Sequence, residues 1–124
     1  MTTPLNIRCR RIYESRCAED GLRVLVDRLW PRGLRKDEAA LDCWPREIAP
    51  SAELRRWFGH DPARWVEFRR RYRAELDAHP GPVAELLVRA REAGAMTLLF
   101  AARDTQHNHA LVLKDYLESH PDRA

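Results

Sequence analysis

The stretch "GPVAELLVRAREAGAMTLLFAARDTQHNH", residues 81–109, decides the fold. Val83, Leu86, Leu87 and Ala90 recur at helical spacing, which predicts a helix over about 82–93. Gly94 ends it, as a glycine just past a helix does. "AMTLLFAA" (95–102) then reads as a short apolar strand. A helix that runs straight into a strand is half of a parallel αβ unit. After the strand, Asp104 or Thr105 caps a last helix running to about Glu118.

Working outward, "LRVLVDRL" (22–29) is a second strand, and its Val24-Leu25-Val26 centre suits burial on both faces. "LNIRCRRIY" (5–13) alternates Leu5, Ile7 and Cys9 with polar residues, the pattern of a half-buried strand. Asp20-Gly21 marks the turn between the two. Residues 31–50 are irregular, because Pro31, Pro45 and Pro50 interrupt any helix, with a short strand expected around Cys43 to Ile48. Ser51 caps "AELRRWF", and Gly59 closes that helix. Asp61-Pro62 opens a helix over 62–77, with Trp65, Phe68, Tyr72 and Leu76 on one face. The order is β-β-(β)-α-α-α-β-α. It predicts an α/β fold: a small layered domain with a short, at least partly parallel sheet covered by about four helices. The 124 residues read as one domain, 1–124, and periodicity leaves the strand order open.

Composition narrows the function classes. Hydrophobic residues make up 44% of the chain, which suits a packed core. Twenty-two bases against nineteen acids give a net charge of +3, too mild to dictate a polyanionic partner. Nearly all the bases are arginine, the side chain suited to bidentate contact with phosphate or carboxylate. Cys9, Cys17 and Cys43 form no C-x-x-C pair, and none stands out as a nucleophile. No signal-peptide pattern or membrane-length apolar run is present, so a cytoplasmic protein without a membrane partner is expected. Glycine-rich phosphate loops, nucleophile elbows and dinucleotide fingerprints are missing, and no cofactor is indicated.

The chemistry-bearing residues gather where the strands end. One strand delivers Asp27-Arg28 and the other Arg103-Asp104 at their carboxyl ends, where open α/β sheets bind ligands. The second also feeds a helix N-terminus, which favours an anion. Such pairs can equally bridge locally, and Asp104 can simply cap the helix. "WPRG" (30–33) reads as a type I turn beginning at Trp30, fixing the directions of Trp30 and Arg32. A tryptophan beside arginines suits a planar anionic ligand. On the helix 62–77, Arg69 lies at the edge of the apolar arc and needs a partner, either Asp27, Asp104 or a ligand, unless it reaches out to solvent. His60 sits between two helices; it faces the strand ends if that helix pair packs there, and is otherwise a loop histidine hydrogen-bonded to the backbone. His109 falls in the middle of the last helix's apolar face, as a hydrogen-bonded core histidine or a proton-transfer group, and His107 points almost opposite. About 200° apart on a helix, these two cannot chelate one metal together, and no metal-ligand spacing appears. They could do so only if "TQHNH" were extended, and a centre built from His60, His107 or His109 with Asp104 is the other metal reading.

Taken together, "DGLRVLVDRLWPRG", "EIAPSAELRRWFGHDPARWVEFRRRYRAEL" and "TLLFAARDTQHNHALVLKDYL" resemble the YeaO-like family, a domain of unknown function numbered 488, over nearly the whole chain. The matching positions are Asp27, Arg28, Trp30, Pro31, Arg32 and Gly33, then Trp57, Phe58, His60 and Asp61. They continue through Phe68, Arg69, Tyr72 and Glu75 to Asp104, His107, Asn108 and Ala110. Phe100 stands where many members carry tyrosine. The resemblance implies small bacterial and archaeal cytosolic proteins with no established reaction. It also moves attention from His109 to His107 and Asn108, in the helix's first turn. The expectation is a pocket that binds a small anionic ligand, phosphorylated or nucleotide-like. Asp27, Arg28, Trp30, Arg32, Trp57, Arg69, Tyr72 and Asn108 are the candidate binding residues. His60 or His107 would transfer a proton, with Asp104 orienting it, if the protein is an enzyme. The alternatives are a nucleic-acid-associated regulatory module, since arginines with aromatics are its usual footprint, and a structural protein without catalysis.

Overall fold

The computed structural model describes residues 5–119. Three strands, β1 (Asn6–Arg11), β2 (Leu22–Leu25) and β3 (Ala95–Phe100), form a wholly parallel sheet in the order β1-β3-β2. Five helices accompany it: α1 (Lys36–Ala39), α2 (Ala52–Phe58), α3 (Trp65–Asp77), α4 (Pro80–Ala93) and α5 (His109–Ser119). This is the small α/β domain expected from the helix-into-strand reading. The central strand is β3, paired Ile7 to Met96 and Cys9 to Leu98 on one side, Val24 to Leu98 on the other.

The sheet divides the apolar residues between its faces. Ile7, Leu22, Val24, Met96, Leu98 and Phe100 face one way, into the core built with α2 to α5. Phe58, Phe68, Tyr72 and Leu76 fill that core from the helices. Leu25 and Leu99 face the other way, under Ala39, Trp30, Leu34 and Trp44. The second face is therefore covered by the segment between β2 and α2, which holds the short α1 and one 3-10 turn. Val24, Leu25 and Val26 are fully buried, as a strand covered on both faces requires.

Four local expectations are corrected. The strand around Cys43 to Ile48 reduces to one parallel bridge between Val24 and Cys43. Pro45 has no N–H to continue a ladder, and the chain turns into a 3-10 turn at Arg46–Ile48. The turn after β2 starts one residue later than expected: Leu34 N–H donates to Pro31 O. Gly33 thus occupies its third position with φ +76°, a conformation that side chains with a Cβ avoid. The helix expected from 62 begins as a 3-10 turn, Pro62–Arg64, and becomes α-helical at Trp65. The last helix starts at His109, not at 104 or 105. Asp104 Oδ1 captures the N–H groups of Gln106 and His107, which holds that stretch in a turn. Asn108 Oδ1 then accepts from Leu111 N–H as the cap.

Candidate functional site

The carboxyl ends of β2 and β3 meet through Asp27. Its Oδ2 accepts from Ala101 N–H at 3.0 Å, joining the two strand ends directly. Its Oδ1 lies 2.7 Å from His109 Nε2, on the first residue of α5. The contact is out of line for a hydrogen bond, and neither atom has another hydrogen-bond partner among the described residues. Both side chains are mostly buried, 15% exposed for Asp27 and 18% for His109.

Over this junction opens a cleft of about 650 Å3. Three groups of residues line it. The turn after β2 supplies Arg28, Leu29, Trp30, Pro31 and Arg32. From α2 and its flanks come Pro50, Ala52, Arg55, Arg56, Phe58 and His60. The end of β3 and the start of α5 give Ala101, Ala102, His107, Asn108 and His109, with Phe68 behind them.

Several side chains are fixed by their neighbours. Arg28 donates to the carbonyls of Pro50 (3.1 Å) and Ala49 (3.2 Å), which holds its guanidinium on the α2 side. Trp30 Nε1 donates to Leu34 O at 2.7 Å, and the ring meets Trp44 edge-on. His107 Nδ1 lies 3.1 Å from Asp104 Oδ2, and its ring abuts Trp65 at 5.4 Å between centroids. The Asp104 carboxyl is held below the usual aspartate value, first by the Gln106 N–H and then by His107. His60 follows the Gly59 helix cap and has φ +57° itself, a costly conformation for a residue with a Cβ. Arg32, Arg55, Arg56 and His60 are exposed at the mouth.

Of the residues singled out in the sequence, Asp27, Arg28, Trp30, Arg32, His60, His107 and Asn108 come together here. Four do not line the cleft. Tyr72 is fully buried and donates to Ile48 O at 2.6 Å, so it belongs to the core. Trp57 lies under the guanidinium groups of Arg71 and Arg64, away from the cleft. Arg69 reaches solvent, which answers its need for a partner at the edge of the apolar arc. Asp104 acts through the turn and through His107. Two features were missed. One is the pair Arg55 and Arg56, in the last turn of α2, which line the cleft without having been singled out in the sequence. The other is the partner of His109: the sequence leaves a hydrogen-bonded core histidine and a proton-transfer group open, and the structure sets its Nε2 against Asp27 at the cleft.

Among the described residues, no group of three histidine, cysteine, aspartate or glutamate side chains is placed to hold a metal ion. Burial pushes the Cys9 thiol up to about 12 and raises that of Cys43, so neither is an activated nucleophile. No described helix is long and apolar enough to cross a membrane.

The fold and this cleft define a class: a small α/β domain with an arginine- and histidine-bearing cleft at the carboxyl ends of a parallel sheet. The chain belongs to the YeaO-like DUF488 family. The matching family model is described as "Inactive DUF488-N3 subclade" and covers residues 6–124. The chain is 46% identical over 115 residues to "Uncharacterized protein YeaO" of Escherichia coli (strain K12), an alignment spanning 93% of this chain and 99% of that protein. It is 39% identical over 117 residues to "Uncharacterized protein Rv3073c" of Mycobacterium tuberculosis (strain ATCC 25618 / H37Rv), spanning 94% and 98%. No solved structure matches the chain significantly.

Proposed function

We propose that the cleft binds a small anionic molecule, phosphorylated or nucleotide-like. The observation that carries this reading is the lining: four arginines and three histidines face one cleft against a single carboxylate, Asp27. Arginine presents paired N–H groups that match phosphate oxygens. The volume falls in the range that accommodates a metabolite rather than a bare ion. The family description "inactive" favours binding over turnover as the role of this chain. Should a reaction occur, His107, whose Nδ1 contacts Asp104, or His60 would be the group to move a proton, both being in the cleft lining.

A thermal-shift series with nucleotides, sugar phosphates and their uncharged parents tests this. A binding anion at about a hundredfold its Kd stabilises the native state by about 2.7 kcal/mol, a rise of several degrees in Tm. The expected rise falls with added salt and is reduced in the Arg55→Gln/Arg56→Gln variant. If no anion in the series moves the Tm, the reading is wrong. If single-stranded nucleic acid alone binds, with steep salt dependence, the nucleic-acid reading replaces it.

A further inference from the structure

His109 lines the cleft, and its surroundings give its two ring nitrogens different roles. Nε2 lies 2.7 Å from Asp27 Oδ1, and both atoms are buried with no other hydrogen-bond partner among the described residues. At that separation a bare ring nitrogen would set its lone pair against a carboxylate oxygen, so Nε2 carries the proton. The carboxylate is itself fixed, because Oδ2 accepts from Ala101 N–H. Nδ1 makes no hydrogen bond among the described residues and is not closed off from solvent as Nε2 is. It therefore belongs to the part of the ring that faces the cleft. No hydroxyl, thiol or amine side chain lines the cleft, and the Asn108 side chain is engaged by Asp104 O and Leu111 N–H.

Charges bear on the ring from several sides. Asp27, at the end of β2, is the carboxylate against it. Arg28, Arg55 and Arg56 share the cleft, and His109 is itself the first residue of α5, at the positive end of that helix. These oppose a positive charge on the ring unless an anion lies among them. From α3 come Phe68 and the Tyr72 hydroxyl, which burial keeps protonated and which donates to Ile48 O. From β1 comes the Cys9 thiol, pushed up to about 12 by burial and donating to Ala110 O. The other titrating groups of the cleft lie nearer solvent: His60 is exposed, and His107, held by Asp104, is 34% exposed.

We infer that His109 is an anion contact of the cleft and that it takes up a proton together with the anion. Nε2–H stays on Asp27, Nδ1 gains a proton from solvent, and the new N–H donates to a phosphate or sulfate oxygen. Asp27 then serves as the counter-ion that a mostly buried imidazolium needs. The anion in turn offsets the opposition of the arginines and of the helix end to the added charge. Affinity for an oxyanion therefore rises as pH falls through the range in which histidine titrates. This rests on the anion-binding reading above and adds a contact residue and a pH dependence to it.

Calorimetric titration with sulfate from about pH 6 to about pH 8 tests the inference, because sulfate stays a dianion throughout and only the protein titrates. The affinity is expected to fall about tenfold across that range, one linked proton allowing at most about tenfold per pH unit. Titrations in two buffers of different ionisation enthalpy should show protons taken up as sulfate binds. In His109→Gln the pH dependence is expected to flatten. Site-resolved NMR of the imidazole nitrogens needs no variant: saturating sulfate should raise the titration midpoint of His109 by about one unit. Three results overturn proton uptake at His109 and leave anion binding standing: sulfate affinity independent of pH, a dependence that persists in His109→Gln, or a midpoint that moves at His60 or His107 and not at His109. If sulfate binds at no pH, the inference falls. The anion-binding reading then stands if any phosphate ester of the thermal-shift series binds, and falls with it if none does.

Discussion

Asp20 shows how much one buried carboxylate can organise. It is 1% exposed and accepts from Cys17 N–H at 2.9 Å. It pairs with Arg10 at 3.0 Å and with the buried Arg23, while its backbone carbonyl accepts from Thr97 on β3. Burial alone would raise its pKa, but the Cys17 N–H and the two guanidinium groups outweigh burial and hold it below the ordinary value of 3.8. A carboxylate with a depressed folded pKa stabilises the fold above its unfolded pKa, and that contribution is lost as pH falls through the folded value. Asp20→Asn leaves Arg23 buried without its counter-charge and is expected to cost about 3 kcal/mol in urea unfolding at neutral pH. The gap between variant and wild type should close as the pH falls well below 3.8, and a gap that stays constant into strong acid would contradict this account. Nothing in the sequence marks Asp20 beyond its place in a turn, because its partners Arg10 and Thr97 come from other strands. Tyr72 teaches the opposite lesson. Its family motif position suggested a ligand contact, yet its hydroxyl serves Ile48 O in the core. A motif records which residues matter together, and packing and binding leave the same mark in it.

The elements that carry periodicity were readable, and their junctions were not. Phe68, Tyr72 and Leu76 on α3, and Val83, Leu86, Leu87 and Ala90 on α4, are buried as their spacing requires. The segment covering the second sheet face has no period to read: Trp30, Leu34, Ala39 and Trp44 reach their places through turns. Junction geometry is strict where β2 begins. Gly21 has φ +64°, and a Cβ there would lie 2.3 Å from Ala95 O, where β3 starts. Gly21→Ala is expected to destabilise by about 3 kcal/mol or more, combining backbone strain with a clash against main chain that cannot rotate away. Chemical denaturation would measure it, and a loss under about 1 kcal/mol would show that the two strand starts can separate cheaply. Asp20-Gly21 was legible as a turn. The need for glycine in particular was not, since it arises from a strand some seventy residues later, in a pairing fixed by the parallel sheet.

At the scale of the molecule, β3 is hydrogen-bonded on both sides and lies under both cores. Native-state hydrogen exchange should find the amides of Met96 to Leu99 the slowest, opening only with global unfolding. Those of α1 and of residues 103–108 should exchange through local opening. Protection of α1 equal to that of β3 would mean the loop layer is part of the cooperative unit. The parallel sheet itself was legible from one helix running into one strand. The order β1-β3-β2 was not, because which edges meet depends on how α4 and α5 pack over the sheet. That order has a consequence for the nascent chain. β1 and β2 leave the ribosome early and next to each other, yet they never pair; each must wait for the strand inserted between them at residues 95–100. Until then the edges of both strands, the apolar β2 among them, stand unpaired while α2, α3 and α4 emerge, and the sheet forms only once β3 is made.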